Sequence, residues 1–187
     1  MTWDQLDWSA LDRLREGFLD GGAAAGPYWQ SERDLASYNL TYGERIGWKW
    51  DAVLHELRLR AWTPPAGPVL DWGCGSGVAG RRLLSAFPAT GPRPLRVWDH
   101  SPLARHYALQ EAGRQFPGID VAAYEEGEPV GLLVVSHVLN ELDADGRAHL
   151  EALIRQAGAT VWVEPGTHAV SRDLIAWRER LLATHAV

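Results

Sequence analysis

The stretch Val69-Leu70-Asp71-Trp72-Gly73-Cys74-Gly75-Ser76-Gly77 constrains this chain more than any other. A short apolar run meets an acid, and glycine then takes every second position. Glycine removes the side chain that would hold a ligand off the backbone, and it permits positive φ. Alternating glycines also weaken regular structure, so they are costly unless a turn or a ligand uses them. The helical pattern from Val78 to Phe87 follows at once. The segment therefore predicts a strand, a stripped loop and a helix whose free N–H groups point back at that loop.

Downstream the pattern alternates. Strands are expected at 95–99, 119–124, 130–136 and 160–164, and helices at 103–115, 143–157 and 170–183. This alternation predicts an α/β fold of Rossmann-like type, with a mostly parallel sheet and helices on both faces. Crossovers of such a sheet are right-handed.

Upstream the pattern is helical. Thr2-Trp3-Asp4-Gln5 fits a capping box, and Trp3, Leu6, Leu11, Leu14 and Phe18 mark one helical face. Asp20-Gly21-Gly22 stops it, and a linker runs to Gly26-Pro27. Ser31 is a candidate N-cap for a helix through Tyr42 that Gly43 interrupts. Ile46, Trp50, Val53 and Leu57 then define a second face, ending near Arg60. The stiff connector Thr63-Pro64-Pro65-Ala66-Gly67-Pro68 is read as a boundary. It separates a helical extension (1–66) from a ligand-binding domain (67–187).

Composition narrows the function. The net charge of −6 does not advertise a nucleic-acid surface. Arginine pairs such as Arg81–Arg82 and Arg93/Arg96 could still grip phosphate bidentately. Cys74 is the single cysteine, which excludes an internal disulfide and a cysteine-built metal centre. His100 and His106 are out of register for a metal pair, so no metal is expected. No apolar run approaches the ~20 residues of a membrane span, and Met1 to Trp8 is not a signal peptide. No membrane partner and a cytoplasmic location are expected. Most of the ten tryptophans should be core or interface anchors.

Two ligands compete for the glycine loop. Gly75-x-Gly77-x-x-Gly80 with Asp99 downstream matches a dinucleotide string. That site wants an uninterrupted apolar strand and a pyrophosphate on the helix N-terminus. A fixed charge at Asp71 would repel the pyrophosphate. S-adenosylmethionine instead carries an ammonium and a sulfonium and no phosphate. On this reading Asp71 attracts the ammonium directly or through water. Gly73, Gly75 and Gly77 clear the space. Asp99, with His100 and Ser101 after it, receives the ribose, and Tyr124 or Glu125 borders the adenine. The third possibility, a tight turn with a capping aspartate and no ligand, leaves the glycines unused.

The block Leu132 to Asp143 follows the fourth expected strand, so Ser136 to Glu141 should lie beside the transferable methyl. Methyl transfer is an in-line displacement in which alignment supplies much of the rate. A base is needed only where the acceptor must lose a proton. Cys74 lies inside the loop and is badly placed as a nucleophile. No Asn/Asp-Pro-Pro-aromatic string stands after the fourth strand, and Lys49 is the only lysine. His137, Asn140 and Glu141 remain as candidate catalytic groups; packing and loop hydrogen bonding are the alternative roles for each. Glu164-Pro165-Gly166-Thr167 reads better as a turn with Thr167 as a cap than as cleft lining. Tyr38 and Tyr42 read equally as lid or packing, and Trp48 as packing.

Ser136-His137-Val138-Leu139-Asn140-Glu141-Leu142 followed by Val161-Trp162-Val163-Glu164-Pro165-Gly166-Thr167 resembles the ribosomal small-subunit methyltransferase-like family. That family includes a mitochondrial ribosome-assembly factor and bacterial relatives. The resemblance runs from about Tyr28 onward and is strongest between Val69 and Thr167. It implies a class I methyltransferase fold of strand order 3-2-1-4-5, bound S-adenosylmethionine, and action on small-subunit ribosomal RNA. A non-catalytic assembly role is the alternative it carries, and a small-molecule acceptor is the one the acidic charge suits. Relatives usually continue into a cysteine-rich iron–sulfur segment, and the sheet usually ends with an antiparallel pair; this sequence shows neither, as a truncated, short or split member would. The final helix, the N-terminal helices, a homodimer mate or a separate partner is expected to cover the edge of the fifth strand.

Overall fold

The computed structural model describes residues 2–19, 28–88 and 93–186. The expected stop at Asp20-Gly21-Gly22 and the linker to Gly26-Pro27 lie outside them. A 3-10 turn (Trp3–Gln5) leads into α1 (Trp8–Leu19). Then come α2 (Glu32–Tyr38), a π turn (Asn39–Gly43) and α3 (Glu44–Leu59). The α/β part runs β1 (Val69–Trp72), α4 (Val78–Ala86), β2 (Leu95–Trp98), α5 (Pro102–Gln115), β3 (Val121–Ala123) and β4 (Leu132–Ser136). It ends with a 3-10 turn (Leu139–Glu141), α6 (Ala144–Gln156), β5 (Ala159–Val163) and α7 (His168–Leu181).

The five strands form one parallel sheet of order β3-β2-β1-β4-β5. This is the expected class I methyltransferase-type arrangement without a terminal antiparallel pair among the described residues. Period-two alternation assigns the faces of β1. Val69 packs with α3, α4 and α5. Leu70 and Trp72 pack with α6 and α7. β4, at the sheet centre, is apolar on both sides, with Leu132 to Val135 all fully buried. The order of strand addition reverses between β1 and β4, and the loops after those strands diverge there to leave a crevice.

The N-terminal segment departs from its expected form in two places. The face drawn from Trp3 to Phe18 is split, because Leu6 leaves the 3-10 turn in extended conformation; Gln5 Oε1 still accepts from the Thr2 N–H at 2.9 Å. Leu6, Leu11 and Leu14 are buried while Trp3 is exposed. Nor does Gly43 break the helix. The backbone passes from α2 to α3 through the π turn without leaving helical φ and ψ. A Cβ on Gly43 would stand 3.3 Å from Tyr38 O and 3.5 Å from Ser76 Oγ, so the glycine lets this turn lie against the loop after β1. Ser31 caps α2 as expected, its Oγ accepting from Asp34 N–H at 3.2 Å.

The N-terminal helices pack on α4 and α5, and Trp50 and Leu54 of α3 share one buried cluster with Val161 and Val163 of β5. α7 covers the opposite face of β5, with Trp177 1% exposed and edge-on to Trp162 at 5.2 Å between centroids. Arg180 lies over the Trp177 ring. No helix among the described residues is long and apolar enough to cross a membrane.

Trp177 anchors the outermost layer, and Trp→Ala in a packed core costs about 3–5 kcal/mol. Trp177→Ala should lower the urea-unfolding free energy by about that amount, while Trp3→Ala should change it by less than about 0.5 kcal/mol. Equal effects of the two would contradict this packing.

Candidate functional site

A cavity of about 830 Å³ opens at the carboxyl ends of the strands. Its floor is the loop after β1, and its roof is α2, the π turn and α3. Its far wall is the loop after β4 with the start of α6. The volume suits a nucleoside-sized ligand.

The floor is built by glycine. Gly73, Gly75 and Gly77 have φ of 68°, 50° and 73°. Each does different work. A Cβ on Gly73 would meet Val138 Cγ1 at 2.6 Å, so the loops after β1 and β4 touch only because it is absent. Gly77 is not in the cavity wall; a Cβ there would meet Ala108 Cβ at 2.9 Å, so its role is the packing of α4 on α5. A Cβ on Gly75 would meet nothing within 4 Å, and its N–H donates to Asp99 Oδ2 at 2.9 Å. Gly75 is where the backbone is open to a ligand.

Asp71 does not line the cavity, so its carboxylate is not presented for a direct ammonium contact. Pleating turns its carboxylate to the α4 side, away from the cavity. Oδ2 accepts the Gly80 N–H at 2.9 Å, and Oδ1 is buried without a partner. Burial pushes its pKa up to about 7, against the opposing pull of the Gly80 N–H and Arg81. Gly80 is required by this seat, since a Cβ would stand 2.8 Å from Oδ2. The third glycine of the dinucleotide string thus serves the carboxylate itself.

Asp99 faces the cavity at the end of β2. Its Oδ1 accepts from Ser101 N–H and its Oδ2 from Gly75 N–H, both at 2.9 Å. Each oxygen keeps a further lone pair. Burial raises its pKa. His100 lines the cavity, with Nδ1 3.7 Å from Asp99 Oδ1. Ser101 does not line it; its Oγ caps α5 by accepting from Ala104 N–H. Tyr124 and Glu125 also lie off the cavity. Tyr124 is packed under the sheet with α6 and α7, and Glu125 is exposed beyond β3.

The aromatic wall that does line the cavity was missed. Trp72 and Trp98 stack at 4.9 Å and 6°, and His149 of α6 stands edge-on to both. A tryptophan one place before Asp99, in register with Trp72 across β1 and β2, was the available signal. Tyr28, Tyr38 and Tyr42 from the roof also line the cavity, whereas Trp48 is 64% exposed and does not line it.

Ser136, His137, Asn140 and Glu141 all reach the cavity. His137 has φ of 59°, which for a side-chain-bearing residue costs of order 1–3 kcal/mol. Glu164 behind the loop stabilises the following turn, its Oε1 accepting from Val138 N–H at 3.0 Å, Leu139 N–H at 3.3 Å and Trp162 Nε1–H at 2.7 Å. Pro165, not Glu164, borders the cavity, and Thr167 caps α7. Burial, then Asp99 and Glu164, push Glu141 up to about 8 against its hydrogen bond with Tyr28. Burial, then Lys49, push His137 down to about 4. The Cys74 thiol is raised by burial and by Asp99 and Asp71, so it stays protonated.

Asp71 and Glu141 titrate higher in the fold than in the unfolded chain. The fold binds their protons more tightly, so the stability they contribute is complete below about pH 4. It is lost as pH rises through about 7 for Asp71 and about 8 for Glu141. Asp71→Asn keeps the bond from Gly80 and removes the charge. Relative to this variant, the wild type should lose stability between pH 4 and pH 7.5 in urea titrations; parallel curves would contradict the buried carboxylate.

No curated protein matches the chain. Two solved structures are similar in fold. The plantazolicin methyltransferase BpumL in complex with SAH is 15% identical, with a TM-score of 0.49, and covers 80% of this chain. Streptomyces venezuelae DesVI is 18% identical, with a TM-score of 0.48, and covers 74%. The chain spans 58% of the length of each. Residues 96–187, from β2 onward, match the family described as mitochondrial small ribosomal subunit Rsm22, which this chain therefore resembles through the loop after β4 and the edge of β5.

Proposed function

We propose that the chain is an S-adenosylmethionine-dependent methyltransferase whose acceptor lies in small-subunit ribosomal RNA. The observation that carries the ligand is the seat of Asp71. A dinucleotide pyrophosphate needs the N-terminus of the helix after the first strand. Here the Asp71 carboxylate already occupies the third N–H of that helix, at Gly80. An anion cannot share that seat without repulsion in a low-dielectric interior. A sulfonium ligand makes no such demand, and the cavity it would enter is bordered by Asp99, Glu141, Asp143 and Asp145.

The remaining surfaces fit the same ligand. Asp99 offers free lone pairs to ribose hydroxyls, and the open backbone at Gly75 admits the sugar and methionine part. The Trp72, Trp98 and His149 wall offers ring faces and edges to adenine. Bound, the sulfonium supplies an electrophilic methyl group. The chain's own residues orient it. Asp99 holds the ribose, and the Ser136-to-Glu141 loop, braced by Glu164, sets the line of approach. Glu141 is the group placed to take a proton from the acceptor. With a sulfonium bound beside it, Glu141 would favour its ionised form, in which it can accept that proton. The ribosomal acceptor rests on the family similarity of residues 96–187.

Asp99→Ala should weaken S-adenosylmethionine binding by about 1–3 kcal/mol, the loss expected for hydrogen bonds to a charged group. Calorimetry reads this directly, and unchanged affinity would displace the ribose from Asp99. Labelled methyl should pass to isolated small-subunit particles. Binding without any transfer to particles, ribosomal RNA or small-molecule acceptors would instead favour a cofactor-binding assembly factor.

A further inference from the structure

We propose that Lys49, with Arg45 one turn before it on α3, holds an oxyanion of the methyl acceptor, so that the acceptor carries a negative group beside the methylated atom. The inference deepens the methyltransferase reading and rests on it. The cavity is electrically divided. Asp99, Glu141, Asp143 and Asp145 border it from the β2, β4 and α6 side, and Arg45 and Lys49 border it from α3. Neither cation has a carboxylate partner among the described residues. Arg82 of α4, by contrast, is held by Glu44 and Asp51 of α3.

Lys49 is not a loose surface lysine. Its Nζ lies 2.9 Å from His137 Nε2. An ammonium can only donate, so Nε2 is the accepting nitrogen and the ring proton sits on Nδ1. Nδ1 lies 3.0 Å from Ser136 Oγ, which also accepts from Trp50 Nε1–H at 2.9 Å. The relay from Trp50 through Ser136 and His137 therefore fixes the Lys49 ammonium at the cavity wall. Two of its three N–H donors are left over. His137 stays neutral beside this cation, so it does not compete for an anion, and its left-handed backbone places the ring at the loop where transfer would occur. An ammonium with spare donors and no carboxylate partner among the described residues is an oxyanion seat. A phosphodiester and a carboxylate share this chemistry.

The test uses the full chain loaded with S-adenosylhomocysteine, whose binding is first measured for the wild type, Lys49→Met and Lys49→Arg. Imidazole nitrogen resonances of His137 then report titrations with inorganic phosphate, acetate and single-stranded oligouridylate. Saturable perturbation of the wild-type ring is expected, with at least tenfold weaker binding in Lys49→Met and partial recovery in Lys49→Arg. Tighter binding of oligouridylate than of acetate assigns the oxyanion to an RNA backbone, and the reverse order assigns it to a small carboxylate; both keep the proposal. Loaded wild type that ignores all three probes, or Lys49→Met that binds as well as wild type, overturns it while the methyltransferase reading stands. Failure of the wild type to take S-adenosylhomocysteine removes both.

Discussion

The bond from Gly80 N–H to the buried Asp71 carboxylate organises everything above the sheet. It joins the last part of β1 to the first turn of α4 and so fixes the loop between them. A buried carboxylate is expensive unless it is hydrogen-bonded, and here one oxygen is satisfied and one is not. The fold tolerates this by keeping the group easily protonated. In return the helix N-terminus is permanently supplied with an acceptor, and the loop is free to present Gly75 and Asp99 to the cavity. The shape of the floor and the proposed selection against phosphate thus rest on one contact.

From that floor the charge pattern follows. Burial raises Asp99, and burial, then Asp99 and Glu164, raise Glu141, so a cation entering the cavity would favour their ionised forms. The roof contributes aromatic rings and two cations from α3. The π turn matters for this arrangement: by inserting Asn39 to Gly43 without a break, it carries α3 close over the loop after β1. Glu164 performs the matching task from below, gathering the N–H groups of Val138 and Leu139 so that the His137 backbone can hold its unusual conformation.

Much of this was legible in the sequence. Strand–helix alternation gave the sheet, and the glycine spacing located the floor. Asp99, His137, Asn140 and Glu141 sit where their positions at strand ends suggested. What failed was direction. A motif tells which residues meet, but pleating turned Asp71 to the helix, and the start of α5 took Ser101 as its cap. Tyr124 is instead packed into the cluster under α6 and α7, and Glu125 is exposed. The aromatic wall and Lys49 come from elements far apart in the chain, and no local pattern could join Trp98 to His149 or Lys49 to His137. Gly43 looked like a helix breaker because propensity treats glycine as a cost, while here it permits close approach.

The central claim is that the cavity selects a cationic, phosphate-free nucleoside because the helix N-terminus is already filled by a carboxylate. Calorimetric titration of the chain with S-adenosylmethionine and, separately, with NAD tests it most directly. Saturable one-to-one binding of the methyl donor with no heat from NAD is the predicted result. Binding of NAD with indifference to the methyl donor would contradict it.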